Sequence, residues 1–216
     1  MQTDANAEYT RPDFKSMALI TIDMQQDFLT GQPCEIPGTS EILPKIQNLV
    51  EAFRRAQLPI VHMVRLYKSD GSNVDLCRRG TVKHGASIVR PGTTGSELAR
   101  ALLPQSDVHL DAELLLSGTP QPLGSKEWAM YKPRWGAFFE TSLELHLANL
   151  GVTSIAFAGC NFPNCPRTSL YEASERDFRI VLVTDAVSGL YDRGQEEMKN
   201  IGVNLLTAER LAQALF

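Results

Sequence analysis

Long apolar runs, signal-peptide features and an excess of basic charge are all missing from this chain of 216 residues. No apolar run approaches the ~18 residues that a membrane span needs. Residues 1–15 are polar and lack the apolar region of a signal peptide, so we expect a flexible N-terminal tail there. The net charge is -4 and no basic stripe is present, which makes nucleic acid and anionic membranes poor candidates as partners.

Cysteine and histidine are also scarce. Four cysteines in a chain of this length do not form a disulfide framework, so reduced thiols in a cytoplasmic protein are the simpler interpretation. The four histidines are scattered and have no metal-ligand spacing; they are His62, His84, His109 and His146. His62 lies in a predicted strand, where a packed histidine is more common than a ligand. We therefore expect neither a metal nor another cofactor.

Short apolar runs alternate with segments of helical periodicity along the chain. Strands are expected at residues 17–22, 59–64, 127–131, 155–158, 180–183 and 203–206, and helices at 40–57, 140–150, 165–177, 192–201 and after Thr207. This alternation predicts an α/β fold, namely a three-layer, doubly wound, mostly parallel six-stranded sheet of the Rossmann-like type. There are no internal repeats, so residues 16–216 are expected to form a single domain.

The segment 65–125 lacks clear periodicity, and only residues 96–103 look helical. A long irregular segment within a compact domain is usually functional or disordered. Between residues 65 and 90 there are six Lys or Arg residues but only two Asp residues. That excess hints at an anionic substrate or a subunit contact, although a solvated surface is the simpler interpretation.

Cys165 is followed by Pro166, and proline is tolerated in the first turn of a helix but not deeper. Cys165 is therefore expected at a helix N-terminus, where free N–H groups and the helix dipole favour a thiolate and could hold an oxyanion. A free cysteine titrates near ~8.5, and such a setting can lower that pKa. Taken alone, the stretch slightly favours a small apolar residue packed beneath a helix start.

Two further side chains stand at the ends of predicted strands. Asp23 ends the first strand and Lys132 ends the third. If the first strand is central, the topological switch point lies between it and the strand near residue 152, and Asp23 and Cys165 then face each other across the ligand-binding crevice. Each residue also has a plain structural interpretation, Asp23 as a turn cap and Lys132 as a solvated lysine.

Three blocks make a more specific pattern: ALITIDMQQDF (18–28), YKPRWGAFFET (131–141) and AGCNFPNCPRTSLYEASERDFRIVLVTDAVS (158–188). In order, spacing and strand context they resemble the signature blocks of the isochorismatase-like cysteine hydrolases, which include nicotinamidases, N-carbamoylsarcosine amidases and ureidoacrylate amidohydrolases. The resemblance implies the isochorismatase-like hydrolase fold and a catalytic trio of Asp23, Lys132 and Cys165.

The same resemblance implies further features of the site. It suggests a cis peptide between Cys160 and Asn161, and an oxyanion hole formed by the backbone N–H groups of Asn161 and Cys165. Phe28 and Trp135 match positions that line the substrate pocket in relatives, although core packing is an even alternative for each. Relatives commonly form homodimers or homotetramers, so a homo-oligomer is expected by analogy.

Two departures from the family pattern change what we expect of the metal, the activity and the substrate pocket. Nicotinamidases carry an Asp-x-His metal cluster after the second strand, where this chain has about Leu66 and Lys68. We therefore expect no catalytic metal and consider nicotinamidase activity improbable. The loop CNFPNCP also differs from the Thr-x-x-Cys-Val form of many relatives, and Phe162 with Pro163 is expected to reshape the substrate pocket.

The sequence thus predicts an amidohydrolase that cleaves a C–N bond in a small amide, ureide or lactam through a thioester acyl-enzyme. Two alternatives stay open: an isochorismatase-type ether hydrolase, and a non-catalytic member that binds a ligand. A redox role for Cys160 and Cys165 is weaker, because their spacing is not that of a C-x-x-C motif.

Overall fold

Seven strands form the single sheet at the centre of the structure, a computed structural model that describes residues 7–32 and 34–216. The strands are β1 Met17–Ile22, β2 Ile60–Val64, β3 Gln121–Gly124, β4 Glu127–Tyr131, β5 Ser154–Gly159, β6 Arg179–Val187 and β7 Asn204–Leu206. Their order across the sheet is β3-β4-β2-β1-β5-β6-β7, and every pair is parallel except β3 with β4.

The six predicted strands are confirmed, but the predicted number of strands is wrong by one. The additional strand, β3, is four residues long, includes Pro122 and pairs only with β4 at the edge of the sheet. A proline-containing edge strand has no apolar period, which explains why sequence patterning misses it. The switch point lies between β1 and β5, as predicted, because β1 is hydrogen-bonded to β2 on one side and to β5 on the other.

Helices cover both faces of this sheet, which gives three layers. The helices are α1 Ala7–Thr10, α2 Thr39–Ala56, α3 Leu76–Lys83, α4 Ala112–Leu116, α5 Leu143–Asn149, α6 Cys165–Ser174, α7 Asp192–Asn200 and α8 Ala208–Ala214. Short 3-10 turns occupy Phe14–Ser16, Gln26–Phe28, Thr94–Ser96 and Arg100–Leu102. Thr207 caps α8, as predicted, by accepting a hydrogen bond from the Arg210 N–H.

The alternation of side chains along β1 divides the core into two layers. Ala18, Ile20 and Ile22 pack with residues of α5, α6 and α7, whereas Met17 and Leu19 pack with residues of α2 and α8. All five are completely buried. A strand buried on both faces is characteristic of a parallel sheet, so β1 lies at the centre of the fold.

The irregular segment contains more structure than the sequence indicates. Its helix α3 has the sequence LCRRGTVK with Val82 as its only buried residue, so it lacks the apolar stripe by which a helix is recognised. The predicted helix at 96–103 is instead two 3-10 turns, Thr94–Ser96 and Arg100–Leu102, separated by extended backbone.

Part of the predicted N-terminal tail belongs to the folded domain. Residues 7–10 form α1, the Asp13 N–H donates to Ser154 Oγ at 2.9 Å, and Asn204 Nδ2 donates to the Thr10 carbonyl at 2.8 Å. Residues 1–6 of that tail lie outside the described residues. Within the described ranges, none of the helices combines the length and the apolar character needed to cross a membrane.

Candidate active site

The carboxyl ends of the central strands bring the three candidate catalytic residues to one edge of the sheet. The Asp23 N–H donates to the Met63 carbonyl at 2.9 Å, and the Lys132 N–H donates to the Val64 carbonyl at 3.0 Å. Asp23 and Lys132 therefore continue the ladder of β1 and β4 by one residue beyond each strand. This edge is where doubly wound sheets bind their ligands.

The loop between β5 and α6 carries the candidate nucleophile. Cys165 is the first residue of α6 and Pro166 follows it, which confirms the predicted helix start. The chain turns at Gly159, which has a φ of 120° and whose Cβ, if it had one, would lie 2.2 Å from the Ile22 carbonyl oxygen. Only glycine fits so close to the neighbouring backbone.

The predicted cis peptide between Cys160 and Asn161 is wrong, since the peptide bonds of the described residues are all trans. The change of direction is made at Gly159 instead, where glycine can adopt a positive φ without steric cost. A trans bond is also the default for a residue other than proline.

Asp23 and Lys132 form a buried ion pair, in which Lys132 Nζ lies 2.9 Å from Asp23 Oδ2. Lys132 is completely buried, and its Nζ also donates to the carbonyl groups of Arg134 and Trp135 at 3.3 Å. Asp23 has a positive φ of 52°, an uncommon conformation for a residue other than glycine. Its second oxygen, Oδ1, is buried with no hydrogen-bond partner among the described residues. Asp23 therefore keeps one oxygen free while the other is held in place.

The pKa of Cys165 is shifted in the direction opposite to the one predicted. Burial raises the pKa of the Cys165 thiol and the negative charge of Asp23 raises it further, whereas the positive charges of Lys132 and Arg65 lower it. Desolvation and the adjacent Asp23 carboxylate raise this pKa by more than Lys132 and Arg65 lower it. The resting site thus contains a protonated thiol that needs a base.

One narrow cleft joins most of the predicted site residues. It is lined by Asp23, Phe28, Ile36, Arg65, Arg78, Trp135, Cys160, Asn161, Asn164 and Cys165. Lys132 is paired with Asp23 beneath this lining. The cleft encloses about 10 Å³, roughly the space of one water molecule. A substrate therefore has to displace at least one lining side chain in order to reach Cys165.

Phe162, predicted as a substrate-binding residue, points into the core instead of the cleft. It is completely buried, its ring meets that of Tyr191 edge to face at 5.5 Å, and its N–H donates to the Ser188 carbonyl. A Cβ on Gly194 would lie 2.5 Å from the Phe162 ring, which shows how closely α7 approaches it. Phe162 anchors the nucleophile loop to α7 and does not contact the cleft.

The backbone N–H groups of Asn161 and Cys165 have no hydrogen-bond acceptor among the described residues. By contrast, the intervening N–H groups of Phe162 and Asn164 donate to the carbonyl groups of Ser188 and Asn161. The two free donors therefore flank the nucleophile loop, and both residues line the cleft.

The aromatic turn after β4 is fixed against α6, and this fixes the position of Trp135. The Ala137 N–H donates to Ser169 Oγ at 3.0 Å, and the Phe138 N–H donates to Glu172 Oε2 at 2.8 Å. Ser169 in turn donates to the Cys165 carbonyl at 2.7 Å. These hydrogen bonds connect the segment after Lys132 to the helix that begins at Cys165.

Sequence reasoning missed two arginines that line the cleft. Arg65 is 2% exposed and its Nη2 lies 3.8 Å from Cys165 Sγ, while its Nη1 pairs with Asp75 Oδ2 at 2.9 Å. Arg78 stacks on the Trp135 ring at 4.8 Å and donates to the Tyr67 hydroxyl at 3.1 Å. The only sequence signal for them is the excess of basic residues between 65 and 90, whose simpler interpretation was a solvated surface.

The residues at the positions of the nicotinamidase metal ligands cannot bind a metal. Leu66 is apolar and completely buried, and Lys68 is an exposed cation. Within residues 7–32 and 34–216, no three His, Cys, Asp or Glu side chains are grouped closely enough to hold a metal ion. His62 is a packed histidine, as expected, with hydrogen bonds to Thr21 at 2.7 Å and Glu127 at 3.0 Å.

Known proteins resemble this chain in sequence and in fold. The family model described as "Isochorismatase domain" matches residues 17–210. A probable inactive nicotinamidase from Arabidopsis thaliana is 28% identical over 211 residues, which cover 94% of this chain and 97% of the relative. A maleamate amidohydrolase from Pseudomonas putida is 28% identical over 178 residues, which cover 79% and 71% of the two chains.

The crystal structure of an isochorismatase family protein from Desulfovibrio vulgaris superimposes with a TM-score of 0.78 at 28% identity, covering 93% of this chain and 98% of that one. The seven-stranded sheet, its helical layers and the family match over residues 17–210 lead to one conclusion. This chain belongs to the isochorismatase family of hydrolases.

Proposed function

We propose that this protein is a metal-independent amidohydrolase that cleaves a C–N bond of a small molecule through a thioester on Cys165. The observation that carries this proposal is the convergence of the buried Asp23–Lys132 pair and the Cys165 thiol on one cleft. A carboxylate beside a thiol can accept its proton, and a nearby ammonium stabilises the thiolate that results.

In the first half-reaction, Oδ1 of Asp23 accepts the Cys165 proton, because this oxygen has no other partner. The sulfur attacks the substrate carbonyl, the C–S bond forms and the carbonyl π electrons move to oxygen. The free N–H groups of Asn161 and Cys165 hold that oxyanion, and each such donor is worth about 3–4 kcal/mol at the transition state. Asp23 then returns the proton to the leaving nitrogen as the C–N bond breaks.

In the second half-reaction, Asp23 takes a proton from water while the water oxygen adds to the thioester carbonyl. The C–S bond breaks, the sulfur regains its proton and the carboxylic or carbamic acid leaves. Lys132 is completely buried and is held by the Asp23 carboxylate and by two carbonyl groups. It therefore balances the negative charge whether this charge is on Asp23 or on sulfur.

The charges of the site favour a substrate that carries an anionic group. The charged side chains that line the cleft or pair with a lining one are the cations Arg65, Arg78 and Lys132 and the carboxylates Asp23 and Asp75. Three cations against two carboxylates leave one positive charge unbalanced. Arg78, whose side chain is 34% exposed, lies at the accessible side of the cleft. A carboxylate on the substrate, as in the maleamate that one relative is named for, would satisfy it.

Two alternatives follow from particular observations. An ether hydrolase of the isochorismate type would not need the thiol, so the contact of Cys165 with the Arg65 guanidinium argues against it. A non-catalytic ligand-binding member is favoured by the narrowness of the cleft and by the relative named as a probable inactive nicotinamidase. A cytoplasmic location and a homodimer or homotetramer stay predictions.

The test is release of ammonia or amine from a panel of amides, ureides and lactams, with and without a carboxylate, by wild type and Cys165→Ala. We expect turnover of at least one anionic amide or ureide by wild type and none by the variant. Trapping of a thioester on Cys165, identified by mass spectrometry of the quenched reaction, is the direct sign of the mechanism. Undiminished turnover by Cys165→Ala would overturn the proposal, and no turnover by either protein would favour the ligand-binding alternative.

A further inference from the structure

The buried guanidinium of Arg65 contacts the sulfur of the candidate nucleophile, Cys165. Arg65 directly follows β2, the strand that lies between β1 and β4. Its Nη2 lies 3.8 Å from Cys165 Sγ and has no other hydrogen-bond partner in the described part of the chain, while its Nε is buried without a partner. Nη2 is thus committed only to the sulfur, and Nε has no partner in the described part of the chain.

The position of Arg65 is fixed from both ends. Gln25, which is completely buried, accepts a hydrogen bond from the Arg65 N–H at 2.7 Å and donates to the Arg65 carbonyl at 2.8 Å. At the other end, Nη1 donates to Asp75 at 2.9 Å and to the Pro133 carbonyl at 3.1 Å. A guanidinium held in this way needs little rearrangement when charge forms on the sulfur beside it.

Lys132 alone does not provide a free hydrogen-bond donor for the sulfur. Its ammonium is already 2.9 Å from Asp23 and donates to two carbonyl groups, so its hydrogen-bonding capacity is used before the thiol loses its proton. Arg65, in contrast, has Nη2 directed at the sulfur itself.

We propose that Arg65 is a further catalytic residue, whose Nη2 stabilises the Cys165 thiolate as Asp23 removes the proton. This inference rests on the proposed function, since it requires Cys165 to be the nucleophile. The alternative is a purely structural role, in which Arg65 serves only to neutralise the buried carboxylate of Asp75.

The groups that face Cys165 from the surrounding elements all enter the pH dependence. They are Asp23 after β1, Arg65 after β2, Arg78 in α3, Lys132 after β4 and Cys160 after β5. The effect of Arg65 on the pH midpoint of Cys165 is separated from the effects of the other groups by substituting Arg65 alone or its partner Asp75 alone.

The test is the pH profile of iodoacetamide alkylation at Cys165, resolved by peptide mass spectrometry with exposed Cys77 as the internal reference. Ultraviolet absorbance of the thiolate, taken as a difference from Cys165→Ser, gives the same midpoint without any reagent. In Arg65→Gln we expect the midpoint to rise by about one unit or more, so that alkylation near neutral pH falls about tenfold. Arg65→Lys should lie between Arg65→Gln and wild type.

Asp75→Asn supplies a change of opposite sign. Without the Asp75 carboxylate, the charge of Arg65 acts on the sulfur with less compensation, so we expect the midpoint to fall. If Arg65→Gln does not fold, Arg65→Lys is compared with wild type and with Arg78→Gln instead. Arg78→Gln is the matched control, because Arg78 is on the same wall of the cleft without contacting Sγ in the described structure; its shift should be smaller.

An unchanged midpoint in folded Arg65→Gln, an upward shift in Asp75→Asn, or equal shifts in Arg65→Gln and Arg78→Gln would each overturn the inference. These outcomes are independent of turnover. Loss of the proposed function is recognised separately, by full activity of Cys165→Ala.

Discussion

Lys132 Nζ and Asp23 Oδ2 meet at 2.9 Å, although their strands, β4 and β1, are separated in the sheet by β2. The lysine side chain is 0% exposed and the aspartate side chain 7%. The long lysine side chain thus crosses beneath the end of β2 and places a positive charge below the cleft. Because neither charge is accessible to water, each depends on the other.

Lys132→Met should therefore destabilise the fold as well as abolish activity. Removing one partner of a buried ion pair costs about 3–5 kcal/mol, whereas replacing both partners can be nearly neutral. We expect the double variant Asp23→Asn/Lys132→Met to recover most of the unfolding free energy lost by Lys132→Met, while remaining inactive. Urea unfolding of the single and double variants measures this, and a double variant no more stable than Lys132→Met would contradict the pairing.

Arg78→Gln should discriminate between substrates by their charge. Arg78 supplies the unbalanced positive charge at the accessible side of the cleft and lies 4.8 Å from the centre of the Trp135 ring. We expect KM for a carboxylate-bearing substrate to rise about tenfold or more, since a charged hydrogen bond is worth about 1.5–3 kcal/mol. KM for a neutral amide of the same size should change little. Equal changes in KM for both substrates would show that Arg78 does not recognise the carboxylate of the substrate.

Two glycines in helices should respond to alanine in opposite directions. In α7, a Cβ on Gly194 would lie 2.5 Å from the ring of Phe162 and 3.0 Å from that of Tyr191, so Gly194→Ala should cost about 1–3 kcal/mol. In α3, Gly80 is exposed and has open space around it, so Gly80→Ala should stabilise by about 0.5–1 kcal/mol. Thermal unfolding of both variants measures these changes in stability. If Gly194→Ala is as stable as wild type, Phe162 is free to move away from the added methyl group.

Glu127 should make the fold sensitive to acid. Burial raises the pKa of Glu127, but hydrogen bonds from Arg54 and His62 outweigh it and lower that pKa to about 2 from 4.5. Because the folded-state pKa lies below the unfolded value, the ionised carboxylate stabilises the fold above about pH 4.5, and that stabilisation is lost as the pH falls toward 2.

The resulting loss for Glu127 is about 3 kcal/mol across that window. Denaturant unfolding at several pH values below 5, for wild type and Glu127→Gln, measures it. The variant is expected to be less stable at neutral pH but to show a shallower decline in acid. Parallel declines in the two proteins would assign the acid sensitivity to other carboxylates.

Features that depend on local chain chemistry can be predicted from short stretches of the chain. Apolar runs placed six strands, Pro166 placed Cys165 at the first position of α6, and Asp23 and Lys132 were recognised because they directly follow buried strands. The ends of parallel strands meet at one edge of a sheet, so these local signals were enough to predict that the residues would lie together.

Tertiary structure alone decided the features that depend on contacts between distant segments. Phe162 packs on α7 and not in the cleft, and Arg65 and Arg78 turn toward Cys165 and Trp135 and not toward solvent. The raised pKa of Cys165 likewise results from burial and from Asp23, which is far from it in the chain. Side-chain direction, desolvation and charge pairing are set by whichever elements pack together, and no short stretch of sequence contains that information.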